Sequence, residues 1–274
     1  MPTIICHDLA GFGLRLITAE DASFLPIVED IKSRASGPVP DARLDHAAVL
    51  LNESGKAVIV LGHIWDITDV AGHPRGASHL NLGSSTQMDV LAGRPVQPDR
   101  FSFILAGSKR LLTPVGAYGD NSDVIGPPPP SCGGGASIGW AGAWAGPRSA
   151  PEPELQHVEL RLDSAIFDDG LCVGPDEKGL FESVTSELAV QRETAEQMAA
   201  ALRAGAARGE IFDRLRPLAQ HPHLMDHRGA RHVFGLRSTF GQMAIHHLVH
   251  MQDADLLAWF DSFITPGPMK LHRA

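Results

Sequence analysis

The stretch AVIVLGHIWDIT, residues 57–68, decides the fold class of this chain. If this stretch is a strand, apolar residues recur at a period of two on each of its two faces. One face carries Ala57, Ile59, Leu61, Trp65 and Ile67, and the other carries Val58, Val60 and Ile64. Side chains of a β-strand alternate between the two faces of its sheet. A strand that is apolar on both faces is covered on both sides, so we predict a central strand here.

Further strand patterns lie on either side of this stretch. Residues 44–52 are predicted to form a strand, and Asn52-Glu-Ser-Gly55 predicts a hairpin turn between it and the central strand. Residues 100–105 and 109–113 read as two more strands. Residues 157–166 predict a half-buried strand whose wet face carries His157, Glu159, Arg161 and Asp163.

The pattern changes to helical after residue 175. Asp176 follows a proline and is predicted to cap the first helix. Apolar residues then keep a spacing of three and four along one stripe, namely Phe181, Val184, Leu188, Ala195, Met198 and Leu202. Gly205 is predicted to end this helix, and residues 211–218, 240–251 and 254–264 predict three more.

These patterns together predict an α+β protein. Residues 1–175 are expected to form an antiparallel, immunoglobulin-like β-sandwich, and residues 176–274 an α-helical region. The tract at 126–153 is rich in proline and glycine and is expected to be a flexible loop that interrupts the sandwich.

Two stretches support the sandwich by resemblance. LNESGKAVIVLGHIWDITDVAG (51–72), with FSFILAGSKRLLTP (101–114), resembles immunoglobulin-like sandwiches of the late-embryogenesis-abundant type. LDSAIFDDGLCVGPDEKGLFE (162–182) is similar to uncharacterised bacterial proteins that join such a sandwich to a helical tail. The resemblance implies a fold and supplies neither an activity nor catalytic residues.

Composition narrows the classes of partner. The 274 residues are 43% hydrophobic and carry a formal net charge of −9, which argues against nucleic acid or an anionic membrane surface as partner. The first residues lack the pattern of a secretory signal, and no apolar run has the length of a membrane span. We therefore expect a cytoplasmic protein.

Histidine is the strongest compositional anomaly, with 14 residues concentrated toward the end of the chain. His246 and His250 are one helical turn apart, the spacing of a zinc-binding pair. His221 with His223 or Asp226 is the candidate set to complete a tetrahedral site. No glutamate follows His246, so the run is not the metalloprotease HExxH motif. The alternative is that these histidines lie on the surface or pack between helices.

Trp140 and Trp144 in the proline- and glycine-rich tract are candidate partner-binding residues, because aromatic residues are enriched at binding hot spots. The alternative is that they fold back onto their own sandwich. No catalytic residue is assigned. The leading hypothesis is a non-enzymatic binding or assembly module with a protein partner. One alternative is a metal-binding protein or metal-dependent hydrolase that uses the C-terminal histidines, with zinc as the only candidate cofactor. Another is a structural protein that self-associates through helices within residues 177–218.

Overall fold

The computed structural model describes residues 4–34, 44–74, 77–80, 85–94, 96, 103–113, 116–119, 155–219, 231–265 and 267–274. For residues 77–80, 116–119 and 231–239 it describes the backbone path alone. The strands are β1 Ile4–His7, β2 Leu14–Thr18, β3 Ala48–Asn52, β4 Val58–Asp69, β5 Ala77–Leu80, β6 Lys109–Thr113, β7 Gly116–Gly119, β8 Leu155–Phe167, β9 Leu171–Val173 and β10 His272–Arg273. The helices are α1 Phe24–Arg34, α2 Ser85–Leu91, α3 Leu180–Arg203, α4 Arg208–Ala219, α5 Arg231–His250 and α6 Asp253–Ile264.

The first sheet is built around the two longest strands, β4 and β8, which pair antiparallel along most of their length. Its strand order is β10-β9-β8-β4-β5, and β1 also pairs with β8. The edge of β8 that does not pair with β4 pairs with two short strands, one after the other. β1 pairs parallel with residues 158–161, and β9 pairs antiparallel with residues 165–166. β10 then adds parallel to β9.

The second sheet has the order β2-β3-β6-β7 and is antiparallel throughout. The two sheets share one apolar core. Trp65 and Leu160 from the first sheet join Leu14, Leu50 and Leu112 from the second in this cluster, and each is almost fully buried. The strand that is apolar on both faces, β4, therefore has a sheet on one side, as its pattern requires.

Helices cover the outer sides. α1 packs Phe24 and Val28 against Val49 and Leu111 of the second sheet. Helices α2 to α6 share a separate core with the other face of β4, which includes Ile59 and further residues of β4 and β8. α3 lies along α5 and α6, and α4 lies along α5.

The predicted immunoglobulin-like antiparallel sandwich is wrong. The protein is a mixed α/β structure with six helices in the described ranges, and its first sheet contains the parallel pairs β1–β8 and β9–β10. Alternation along a strand fixes which residues face the core, but it does not fix the neighbouring strand or its direction. Here both parallel pairings join strands far apart in sequence. Helices α3 to α6 do lie in the C-terminal half, whereas the tract 126–153 lies outside the described residues and the division at 175/176 stays a prediction.

The predicted hairpin at residues 52–55 is also wrong. β3 belongs to the second sheet and β4 to the first, so the connection carries the chain from one sheet to the other. Asn52 holds this crossing, because its buried side-chain amide donates to the carbonyl oxygens of Lys56 and Ile104. A turn signal between two apolar runs predicts a reversal of the chain and does not distinguish a hairpin from a change of sheet.

Several local predictions are confirmed. The central strand predicted at 57–68 is β4, the strand at 109–113 is β6, and the long amphipathic helix is α3. The capping role predicted for Asp176 is confirmed in part: its carboxylate accepts hydrogen bonds from the first backbone amides of α3, those of Leu180 and Phe181, but the N-cap position is Gly179. One residue of β8 differs from its prediction: Asp163, predicted to lie on the solvent-exposed face, is only 3% exposed.

Candidate functional site

The predicted histidine pair lies on the exposed face of α5. The ring centres of His246 and His250 are 4.4 Å apart, and the two ring planes are tilted by 51°. Both residues are exposed. The structure therefore brings together the two site residues that the helical spacing predicted to be neighbours.

The apolar face of α5 determines this orientation. Phe240, Ala244 and Leu248 repeat every four residues and are buried in the helical core. His246 and His250 project from the opposite side of the helix, as a period of 3.6 residues requires. Val249 lies beside them, 63% exposed.

The intervening histidine, His247, has a different environment. Its ring lies 4.8 Å from that of Trp259 on α6, and the residue is partly buried. Burial lowers the pKa of His247, and the neighbouring His246 and Arg94 lower it further, against an opposing effect of Asp89. His247 thus packs between α5 and α6 and is not oriented like the exposed pair.

Arg94, just beyond α2, contacts the same part of α6. It forms an ion pair with Asp89 and donates a hydrogen bond to the Ser262 hydroxyl at 3.0 Å. Its guanidinium lies 3.8 Å from the ring centre of Phe263, and burial lowers its pKa. An arginine over an aromatic face is a cation–π contact. The sequence carried no signal for this cluster, because α2 and α6 are far apart along the chain.

The exposed pair can be compared with the geometry of two imidazoles on one metal ion. With Zn–N bonds of about 2.1 Å, two imidazoles on one ion have ring centres about 5 Å apart. The ring centres of His246 and His250, 4.4 Å apart, are close to that separation. Within the described part of the chain, no three histidine, cysteine or carboxylate side chains converge on one metal position.

The other predicted site residues lie in parts of the chain that the structure does not describe. His221 and His223, the candidates to complete the zinc site, lie outside the described residues, and so do Trp140 and Trp144. The completed four-ligand site and the tryptophan contact therefore stay predictions.

A second group of imidazoles surrounds Glu159 on β8. His7 Nε2 lies 3.2 Å from one carboxylate oxygen of Glu159, and His157 Nε2 lies 3.5 Å from the other. Arg161 also approaches Glu159, at 3.5 Å, and donates to Asp66 at 2.8 Å. A guanidinium already supplies the positive charge here, so a metal cation is disfavoured beside it.

A cavity of about 380 Å³ lies next to β9 and β10, with Phe12, Cys172, Asp176 and Arg273 in its lining. Arg273 donates to the Asp176 carboxylate at 2.7 Å and lies 4.8 Å from the ring centre of Phe181. Burial raises the pKa of the Cys172 thiol to about 11, so it is a poor nucleophile at neutral pH. The sequence predicted Asp176 as a cap but gave no sign of its partner 97 residues away.

No protein-family profile matches this chain, and neither a curated protein nor a solved structure shows significant similarity to it. Among the helices in the described ranges, none combines the length and apolar character that crossing a membrane requires.

Proposed function

We propose that this protein binds a divalent transition-metal ion through His246 and His250. The observation that supports the proposal is the pair itself: two exposed imidazoles on one face of α5, with ring centres 4.4 Å apart. Helical residues four apart are neighbours on the surface, so both rings reach one ion without a change in the backbone.

The ligand chemistry selects the class of ion. Imidazole suits zinc, copper, nickel and iron, whereas calcium and magnesium prefer oxygen ligands. Only neutral imidazole binds a metal, so affinity falls as the solution becomes acidic. Because the supporting observation concerns ligands alone, we propose a binding role in preference to a metal-dependent hydrolase.

Isothermal titration calorimetry of the metal-free protein with Zn²⁺ tests this proposal. We expect His246→Ala and His250→Ala each to weaken the strongest zinc site by about tenfold or more, which corresponds to at least about 1.4 kcal/mol. Cu²⁺ should bind more tightly than Zn²⁺, and Mg²⁺ should show no binding at this site.

The matched control is His7→Ala, which removes an exposed histidine beside Glu159 and Arg161. This variant should keep the wild-type zinc affinity. Equal zinc affinity in wild type, His246→Ala and His250→Ala would overturn the proposal, since other histidines would then hold the ion.

We also propose that this protein is a binding or assembly module with a protein partner, which was the leading hypothesis from the sequence. One observation favours this second proposal. Val249 is 63% exposed and adjoins the histidine pair, so the face of α5 combines an apolar contact with two ligands. Trp140 and Trp144 remain the proposed contact residues of the proline- and glycine-rich tract. Deleting residues 127–151 tests that part: retention of both fold and every interaction would overturn it.

A further inference from the structure

We infer that two copies of this protein share one transition-metal ion, with His246 and His250 of each copy as its four ligands. The inference rests on the proposed function and adds the second copy. Zinc at a closed site takes four ligands in a tetrahedral arrangement, and the α5 pair supplies two. A two-fold axis through the ion supplies two more from the same residues.

The pair is accessible to a second copy, since both imidazoles lie on the exposed face of α5. In the described part of the chain, no third ligand joins them to close the site. A partner copy is therefore able to approach the open side of the ion. Each copy then presents the same patch to the other, as a two-fold interface requires.

Val249 gives this interface an apolar contact. His246, Val249 and His250 stand at positions i, i+3 and i+4 of α5, which places them on one face. Val249 is 63% exposed, so a symmetric approach of two α5 helices buries it against its counterpart. Burial of this side chain adds a hydrophobic contribution to the metal bridge.

The local charge permits the approach of two acidic chains. The chain carries a net charge of −9, yet the 20 residues of α5 include no aspartate or glutamate. The nearest acid beyond its end, Asp253, is paired with Arg208 at 2.6 Å. Two copies that meet through α5 itself therefore bring no acidic side chain of that helix together.

Sedimentation velocity of the full chain, with and without Zn²⁺, tests the inference, and native mass spectrometry counts the bound ions. We expect a zinc-dependent dimer with one shared ion, reversed by EDTA. His246→Ala and His250→Ala should stay monomeric in zinc. Val249→Lys should weaken the dimer by about tenfold or more, whereas Leu25→Lys, at a site on α1 that is 59% exposed, should dimerise like wild type.

The alternative outcomes separate this inference from the proposed function. A monomer that binds zinc through His246 and His250 would overturn the shared site and leave the proposed function standing. Loss of zinc binding in the double variant His221→Ala/His223→Ala would then show that the same chain completes the site. Zinc binding that is unchanged by His246→Ala and His250→Ala would overturn both, and a dimer that needs no zinc would overturn the metal bridge.

Discussion

The side-chain amide of Asn52 donates a hydrogen bond to the backbone carbonyl of Ile104 at 2.7 Å, across 52 residues of sequence. The same amide donates to the carbonyl of Lys56 at 2.8 Å, and its oxygen accepts from the Ser54 hydroxyl at 2.6 Å. Asn52 is 1% exposed. These bonds satisfy buried carbonyls where the chain leaves the second sheet for the first, so the crossing depends on this side chain.

Replacing Asn52 by alanine should therefore lower the free energy of unfolding by about 3 kcal/mol, because it removes the hydrogen bonds from the buried amide to three backbone carbonyls together with the bonds that its oxygen accepts from Ser54. Urea denaturation followed by circular dichroism measures the change. Ser54→Ala removes the bonds of the hydroxyl to the Asn52 side chain and to the backbone of Lys56 but leaves the Asn52 amide in place, so it should cost about 1 kcal/mol. Equal losses in the two variants would show that Asn52 does not hold the crossing.

The close approach of Gly93 to Gly267 gives a second prediction. Gly93 has φ of +76°, and a Cβ atom there would overlap the carbonyl oxygen of Gly267. Gly107 has φ of +75° but open space around it. Thermal and urea unfolding should show a loss of about 4 kcal/mol for Gly93→Ala, from backbone strain and overlap together.

The Gly107→Ala variant is the control for backbone conformation alone and should lose about 1–2 kcal/mol. A Gly93→Ala protein as stable as Gly107→Ala would mean that the segment after α6 does not pack against the end of α2.

Asp163 gives the protein a distinctive pH dependence. Burial raises its pKa above the ordinary value of 3.8, although the amides of Glu177 and Lys178 donate to its carboxylate. The folded state then holds the proton more tightly than the unfolded state. Its contribution to stability consequently falls as the pH rises from about 3.8 through the raised pKa.

Urea unfolding of wild type and Asp163→Asn at a series of pH values tests this sign. Wild type should lose stability relative to the variant as the pH rises through that window. Asp169 is a control with the opposite expected pH dependence, because the hydrogen bond from Lys56 lowers its pKa. Relative to Asp169→Asn, wild type should lose stability as the pH falls. The same direction in both comparisons would be inconsistent with this electrostatic account.

Local periodicity predicted the elements whose pattern is long. The apolar residues predicted in β4 and β8 are buried, but the β4–β8 pairing contains register shifts, and Ile59 and Ile166 lie in the helical core while Leu61 and Leu160 lie between the sheets. In α3 the stripe residues Val184, Leu188, Ala195 and Met198 are buried, whereas Phe181 and Leu202 are partly buried. The pairing of these elements was predicted less well. β1 pairs with β8 across more than 150 positions, and no local pattern specifies such a neighbour.

The candidate site was likewise predicted in its local geometry but not in its contacts with distant elements. The spacing of His246 and His250 sufficed to predict that they are neighbours, because only the geometry of one helix is involved. His247 stands seven residues after the buried Phe240, so helical periodicity places it on the inward side of α5. Its contact with Trp259 was not predictable, because α6 is a separate element. The periodicity of one helix decides which histidine of the run is exposed, whereas long-range packing decides what the inward one contacts.

A crystal of the zinc-loaded protein, measured at the zinc absorption edge, tests the central claim most directly. The account predicts one anomalous peak about 2.1 Å from a ring nitrogen of both His246 and His250. A peak at the histidines around Glu159 with none on α5, or no ordered zinc at all, would contradict it.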